Sequence, residues 1–191
     1  MRIEFNEKDH VYTVGGNVKP SVTQILKRMG IVDTRFFTEE DSINGTNRHL
    51  AIELHEKGTL DYKELDKDIK PYLKQWKKFK RESGFKVIET EKSIYNQLYQ
   101  YCGKCDVIGK MRGMPFPVVL DIKTGTVPFW ANLQVSAYAS ALPRFHNIMA
   151  LGLTPKKYTL YKYNYRESVN QWNAFVSCYN YLKKNVKEEW W

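Results

Sequence analysis

Two stretches of β-forming residues, 2 to 6 and 10 to 14, flank a polar loop at the start of the chain, and Gly15-Gly16 then turns toward Lys19-Pro20. This pattern predicts a small β-hairpin region. A helix follows: Ser21 is a good N-cap, Val22, Ile25, Leu26 and Met29 keep helical spacing, and Gly30 is placed to end it. Thr38, followed by acidic residues, starts a second helix expected to run to Lys57 and stop at Gly58. Ile69, Tyr72, Leu73, Trp76 and Phe79 mark a third helix, which tolerates Pro71 only in its first turn. Its other face carries Lys70, Lys74, Lys77, Lys78, Lys80 and Arg81.

From about Lys86 the period becomes that of strands: Lys86 to Ile94, Leu98 to Gly109 and Phe116 to Lys123. Phe129 to Leu142 reads as a helix, Lys157 to Tyr163 as another strand, and Glu167 to Val186 as a last helix with its apolar residues on one stripe. The order from Thr38 implies an α/β fold, a mixed central sheet flanked by helices, with an N-terminal hairpin region and a C-terminal helix. No repeat or linker divides the chain, so one domain is expected over residues 1 to 191. Its parts are a hairpin and helix at 1 to 30, a core at about 38 to 165, a basic helical insertion at about 66 to 82 and the helix at 167 to 186.

Composition changes this picture mainly through charge. The chain has 191 residues and a formal net charge of +9, with 42% hydrophobic and 14% aromatic residues, which argues for a folded, basic protein. The charge is uneven: residues 1 to 69 carry 10 basic and 13 acidic groups, whereas 70 to 81 carry six basic groups and no acid. Such clustering suits a polyanion partner such as nucleic acid, against the plainer reading of solvated helix faces. The longest apolar run, Ile148 to Leu153, is too short to cross a bilayer. With no secretory or transit pattern at Met1 to Phe5, the cytoplasm is the expected address and no membrane partner is expected. Cys102, Cys105 and Cys178 are an odd set. The Cys-x-x-Cys pair is too poor in ligands for most thiolate metal sites, and the alternative is that both are small buried residues on or beside a strand.

Candidate chemistry concentrates in four places. Asp121-Ile122-Lys123 ends an apolar strand and projects a carboxylate and an ammonium from one face. Asp106, on the preceding strand, is within reach of Asp121 across a hairpin, and two hard carboxylates suit Mg²⁺ or Mn²⁺ when a substrate supplies phosphate oxygens. A surface salt bridge is the competing account. His49 and Glu53 share a helix face at i, i+4, and Gly45 in the interior of that helix suggests a close approach of backbone or strand; His49 is either a ligand or a satisfied core histidine. Gln134 and Tyr138 form a second i, i+4 pair.

The series Gly45-Thr46-x-x-His49, Gly103-x-x-Asp106, Asp121-Ile122-Lys123 and Gln134-x-x-x-Tyr138 resembles the PD-(D/E)XK nuclease superfamily in its RecB-like and phage exonuclease branch. His10-Val11-Tyr12 through Pro20-Ser21-Val22-Thr23 is similar to the N-terminal segment of phage members. The resemblance covers about residues 38 to 165 and implies a restriction-endonuclease-like core, α-β-β-β-α-β. It implies that Asp106, Asp121 and the carbonyl of Ile122 hold a Mg²⁺ or Mn²⁺ ion with His49 as a further ligand. Lys123 would assist the attacking water, and Gln134 and Tyr138 would position the lysine and the scissile strand. Glu53 and Glu91 fall near positions that are often acidic in the family.

The departures are the missing Pro before the first aspartate and the missing four-cysteine iron–sulfur cluster of some relatives. No Walker motif is present. The implied activity is a metal-dependent deoxyribonuclease, an exonuclease of phage or prophage type acting in recombination, repair or processing, in the host cytoplasm if phage-encoded. Its partners would be DNA and either further copies of itself or a recombination or single-strand-binding protein. Lys70, Lys74, Lys77, Lys78, Arg81, Lys183 and Lys184 are the candidates to hold DNA. Trp76, Trp130 and Tyr72 are available for stacking if exposed, and core packing is the alternative for them. A non-catalytic nucleic-acid-binding module on the same scaffold, or a structural role, are the competing functions.

Overall fold

The structure is a computed structural model that describes residues 2–6, 9–32 and 39–187, with side chains from 43 onward in the helix that begins at 39. Strands β1 (Ile3–Asn6), β2 (Val11–Val14) and β3 (Asn17–Lys19) form an antiparallel sheet in the order β1-β2-β3. The third strand extends the expected hairpin. It follows because Gly15 and Gly16 both take positive φ, +55° and +79°, as a two-residue turn between right-twisted strands demands. Tyr12 and Val14 pack on Cys102, which ties this small sheet to the main one.

Helix α1 (Val22–Arg28) has the Ser21 cap in full: its side chain accepts from the Gln24 amide while Gln24 reaches back to the Ser21 amide. Helix α2 (Glu39–Lys57) ends before Gly58 as expected, and the proposed cap Thr38 lies outside the described residues. Helix α3 (Lys70–Ser83) carries Pro71 in its first turn and stops at Gly84.

The main sheet has the order β4-β5-β6-β7-β8, from β4 (Lys86–Asn96), β5 (Tyr101–Lys110), β6 (Val118–Thr124), β7 (Asn147–Leu153) and β8 (Tyr158–Tyr163). All pairs are antiparallel except β6 and β7, which helix α4 (Ala131–Ser140) connects by a crossover. The chain is therefore the mixed α/β fold that the sequence pattern implies, with one correction. The strand that follows α4 is β7, an element that the residue pattern does not predict, and the expected strand at 157 to 163 is β8, one place further out. β7 pairs with β6 and β8 along its edges and meets a helix layer on each face, so it shows no alternation: all six residues from Ile148 to Leu153 are buried.

Helices cover both faces of this sheet. One layer packs Ile52 of α2 and Leu73, Trp76 and Phe79 of α3 on Val118, Leu120 and Ile122 of β6 and their β7 neighbours. The other layer packs α1, α4 and helix α5 (Tyr165–Asn185) on Cys105, Val119 and Ile148. A buried polar knot fixes this second layer. The Tyr101 hydroxyl of β5 donates to the Ala137 carbonyl of α4 at 2.8 Å and accepts from the Trp172 indole N–H of α5 at 3.0 Å. Because Val119 faces this layer, strand alternation points Asp121 and Lys123 toward α4.

Candidate active site

The site lies where two strands part. β5 and β6 pair only through Val107–Gly109 and Val118–Leu120, and the next opposed positions in that register are Asp106 and Asp121. There the ladder ends, and the Ile122 amide donates instead to Asp106 Oδ2 at 2.7 Å. The carboxylate thus stands in for a strand carbonyl and satisfies a backbone donor that the separation would leave unpaired. On the other side of β5, the residue opposite Asp106 in the β4 register is Glu91, which takes φ +52° and interrupts the run between Thr90 and Lys92.

Asp121 is 1% exposed, and neither of its oxygens accepts a well-aligned hydrogen bond. Its Oδ2 is 2.8 Å from Lys123 Nζ, an ion pair of oblique geometry. Lys123 Nζ also donates to Gln134 Oε1 at 2.8 Å, and Gln134 Nε2 donates to the Tyr138 hydroxyl at 2.6 Å. One turn of α4 therefore holds Lys123 through an i, i+4 relay. The Trp130 ring lies 5.3 Å from Lys123 Nζ on the same side. Gly103 makes room for this relay, since a Cβ there would lie 2.8 Å from Tyr138 Cε1.

α2 supplies His49, whose Nδ1 is 3.6 Å from Asp106 Oδ2 and whose ring is in reach of the Ile122 carbonyl. Glu53, one turn along, joins His49, Glu91, Asp106 and Ile122 around a small cavity. Gly45 does not mark the expected close approach: a Cβ there would meet only Thr124 Oγ1 at 3.8 Å, an ordinary contact.

Burial dominates the electrostatics. It pushes the Asp121 carboxyl up to about 6, with Lys123 pulling it down and Asp106 pushing it further up. Asp106 is likewise raised by burial, opposed by Lys123, the Ile122 amide and Lys104. Glu91 is raised by burial and by Asp106, while Lys104, 3.3 Å away, opposes the shift. Burial and then Lys123 lower the pKa of His49, against Asp121, Glu91 and the Ile122 carbonyl, which favours the neutral imidazole that can donate a lone pair.

Among the described residues, no group of three or more His, Cys, Asp or Glu side chains is already arranged to hold a metal ion. Asp106 Oδ2 instead accepts from the Ile122 amide, and Asp121 Oδ2 pairs with Lys123. The donor set still fits a hard divalent cation by its chemistry. It comprises the buried carboxylate of Asp121, which has no aligned hydrogen bond, and the half-buried one of Asp106, together with an imidazole biased to its neutral form and a backbone carbonyl.

The structure thus brings together His49, Asp106, Asp121, Ile122, Lys123, Gln134 and Tyr138, with Glu53 and Glu91 at the margin. The adjoining cleft, about 450 Å³, is lined by His49 of α2, Glu91 of β4, Asp106 of β5 and Tyr138 of α4, and also by Phe5, Tyr12, Lys27 and Lys104. Lys104 is not among the residues expected from sequence, although it is two positions from Asp106 on one strand, a spacing that puts both on one face. Lys27 carried no comparable signal.

The basic candidates lie elsewhere. Lys70, Lys74, Lys77, Lys78 and Arg81 line a separate groove on α3, whereas Lys183 and Lys184 occupy the last turn of α5 in the opposite layer. Trp76 is fully buried, with its indole N–H on Glu56, so it is a core residue and not a stacking platform. Tyr72 is half-buried beneath Arg48. Cys102 and Cys105 are buried in apolar clusters, and burial pushes the Cys102 thiol up to about 11, as suits small core residues.

No protein-family model matches the chain, and no curated protein matches it. Solved structures do. A protein of Eubacterium rectale, described as a candidate exonuclease, superposes with a TM-score of 0.51 at 10% identity, over 81% of this chain and 69% of its own. An alkaline exonuclease of Laribacter hongkongensis, solved alone and in complex with dAMP, covers 88% of this chain and 93% of its own at 13% identity, but its TM-scores of 0.37 and 0.40 are too low to argue from. What the first likeness establishes is a shared architecture: the chain has the mixed-sheet fold of that protein.

Proposed function

We propose that the chain is a metal-dependent nuclease that hydrolyses phosphodiester bonds in DNA, an exonuclease of the phage type within the RecB-like branch, serving recombination, repair or processing. The observation that carries this reading is the line of Asp106, Asp121, Lys123, Gln134 and Tyr138 at the parting of β5 and β6, with His49 facing it from α2. A buried carboxylate without aligned hydrogen bonds is costly to maintain, and such cost is a mark of function more than of stability.

Asp106, Asp121, His49 and the Ile122 carbonyl would hold Mg²⁺ or Mn²⁺. When bound, such an ion lowers the pKa of a water and offsets the charge of the phosphate. The remaining work falls to the chain. Gln134, itself fixed by Tyr138, restrains Lys123, so the lysine presents its N–H groups to one small region beside Asp121. Charge gathering on phosphoryl oxygens in that region meets a donor already oriented for it. The same lysine would assist a water attacking in line. The aspartates, left without a counter-cation, repel the polyanion, so substrate entry and metal loading are coupled.

The test is cleavage of end-labelled linear DNA and of closed circular DNA in Mg²⁺, Mn²⁺ or EDTA. Linear DNA should be degraded from its ends, circles should survive, and EDTA should abolish the reaction. Asp121→Ala and Lys123→Ala should each lower the rate by a factor of about 100 or more. Cleavage in EDTA, or activity that survives Asp121→Ala, overturns the mechanism. Binding of DNA without cleavage returns the chain to a non-catalytic module.

A further inference from the structure

We propose that the groove along the outer side of α3 is a second nucleic-acid site, apart from the catalytic cleft, that grips a single strand. The groove, about 430 Å³, has a floor of Leu65 and Leu73 with Tyr62 at its edge, and a rim of Lys70, Lys74, Lys77, Lys78 and Arg81. The rim cations are spaced four, three, one and three residues apart, which sets them on one side of the helix. All five are exposed. Lys80 faces the other way and is paired with Glu56. Among the described residues, Lys70, Lys74, Lys77 and Lys78 form no ion pair, and Arg81 has only a 3.8 Å approach to its neighbour Glu82. They are thus free to meet a polyanion, although Asp61, Glu64, Asp66 and Asp68, on the segment that carries Tyr62 and Leu65, offset part of their charge.

A solvated helix face is convex and needs no apolar floor, whereas this row borders a concavity. From Lys70 to Arg81 the helix rises about 16 Å, at 1.5 Å per residue. One strand of a duplex would place about five phosphates along that length, at about 3.4 Å of axial rise each, and a more extended single strand fewer. The floor decides between strand types. A groove of this volume takes a base or two, which a single strand can offer and a duplex keeps stacked inside, and Tyr62 is 48% exposed with Lys77 Nζ 4.5 Å from its ring centroid. His55 Nδ1, 2.6 Å from the Tyr62 hydroxyl, restrains the ring from the α2 side. A cationic track beside an aromatic ring held at its edge is the recognition chemistry of single strands.

The groove also has a direction. Arg48, adjacent to His49, lies 4.1 Å from the Tyr72 ring centroid, so the first turn of α3 stands next to the turn of α2 that faces Asp106. The groove starts at the level of that turn and runs away from it, as a track for the strand beyond the scissile bond would. This assignment of a role rests on the nuclease reading; the binding itself does not.

The experiment measures fluorescence anisotropy of labelled oligo(dT) with the full chain in EDTA, at about 50 to 200 mM salt. The variants are Tyr62→Ala and the combined Lys74→Gln, Lys77→Gln, Lys78→Gln, with circular dichroism to confirm folding. The triple variant should bind at least tenfold more weakly, with its log–log salt slope shallower by about 2, at about 0.7 for each phosphate that a lysine no longer neutralises. Tyr62→Ala should lose at least fivefold on oligo(dT) and little on duplex of equal length. Cleavage of a substrate too short to reach the groove should be unchanged in both. Unchanged affinity and salt slope overturn the proposal, and so does an equal loss on duplex. Displacement of oligo(dT) by polyglutamate as readily as by unlabelled oligo(dT) overturns it in favour of a general acidic partner. If the wild-type chain cuts no DNA at all, the nuclease reading fails while anisotropy still decides the groove.

Discussion

Asp121 shows what a functional side chain costs. Burial pushes its carboxyl up to about 6, and neither oxygen gains an aligned hydrogen bond in return. A neutral amide of the same shape removes the buried charge and leaves Lys123 its bond to Gln134. Asp121→Asn should therefore stabilise the metal-free protein by about 1 kcal/mol, a rise of about 2–4 °C in Tm in EDTA, while abolishing cleavage. A lower Tm would show that the carboxylate contributes to stability. Gly103 tests the relay from behind. Gly103→Ala drives a methyl into the Tyr138 ring, 2.8 Å away, and should cost about 1–3 kcal/mol together with activity; wild-type values for both would mean that the ring moves aside freely. These positions differ in how openly the sequence announces them. Strand alternation is enough to place Asp121 beside Lys123, and helical spacing to pair Gln134 with Tyr138. That Asp106 replaces a strand carbonyl for Ile122 depends on where two strands part, and no local pattern encodes that.

Among the elements, α2 and α3 are joined by one buried group that no motif or spacing marks out. Glu56, with its side chain 7% exposed, accepts from the Trp76 indole N–H at 2.7 Å and from Lys80 Nζ, and His55 lies 3.7 Å away. Removing it strands a partly buried ammonium and a buried N–H together. Glu56→Ala should cost about 3 kcal/mol in urea unfolding, and Glu56→Gln, which keeps an acceptor for Trp76, distinctly less. Equal losses would place the energy in packing instead. Because α2 also carries His49, the alanine variant should lose activity before it loses its fold. Helices α1, α3 and α5 are legible because each buries one stripe and leaves the other to solvent. β7 is not, because a strand flanked by β6 and β8 and covered by both helix layers is apolar at nearly every position and has no period to read.

At the scale of the whole molecule, the +9 charge separates into a cationic groove on α3 and an acidic cluster at the sheet centre, where Glu53 and Glu91 adjoin Asp106 and Asp121. That separation has a thermodynamic consequence that can be read without any substrate. A cation that binds the folded chain alone stabilises it by mass action, by about 2.7 kcal/mol at a hundred times its Kd. For a chain of this size that is about 5–11 °C in Tm. Mn²⁺ should produce such a shift in the wild-type protein, and Asp106→Ala and Asp121→Ala should each remove it. Lys123→Ala is the informative control. Its ammonium lies 2.8 Å from Asp121 Oδ2 and competes with a cation for that oxygen, so its removal should leave the shift intact or enlarge it while cleavage is lost. A shift that vanishes in Lys123→Ala would make the lysine a structural support for the metal site, whereas one that survives assigns it to the reaction alone.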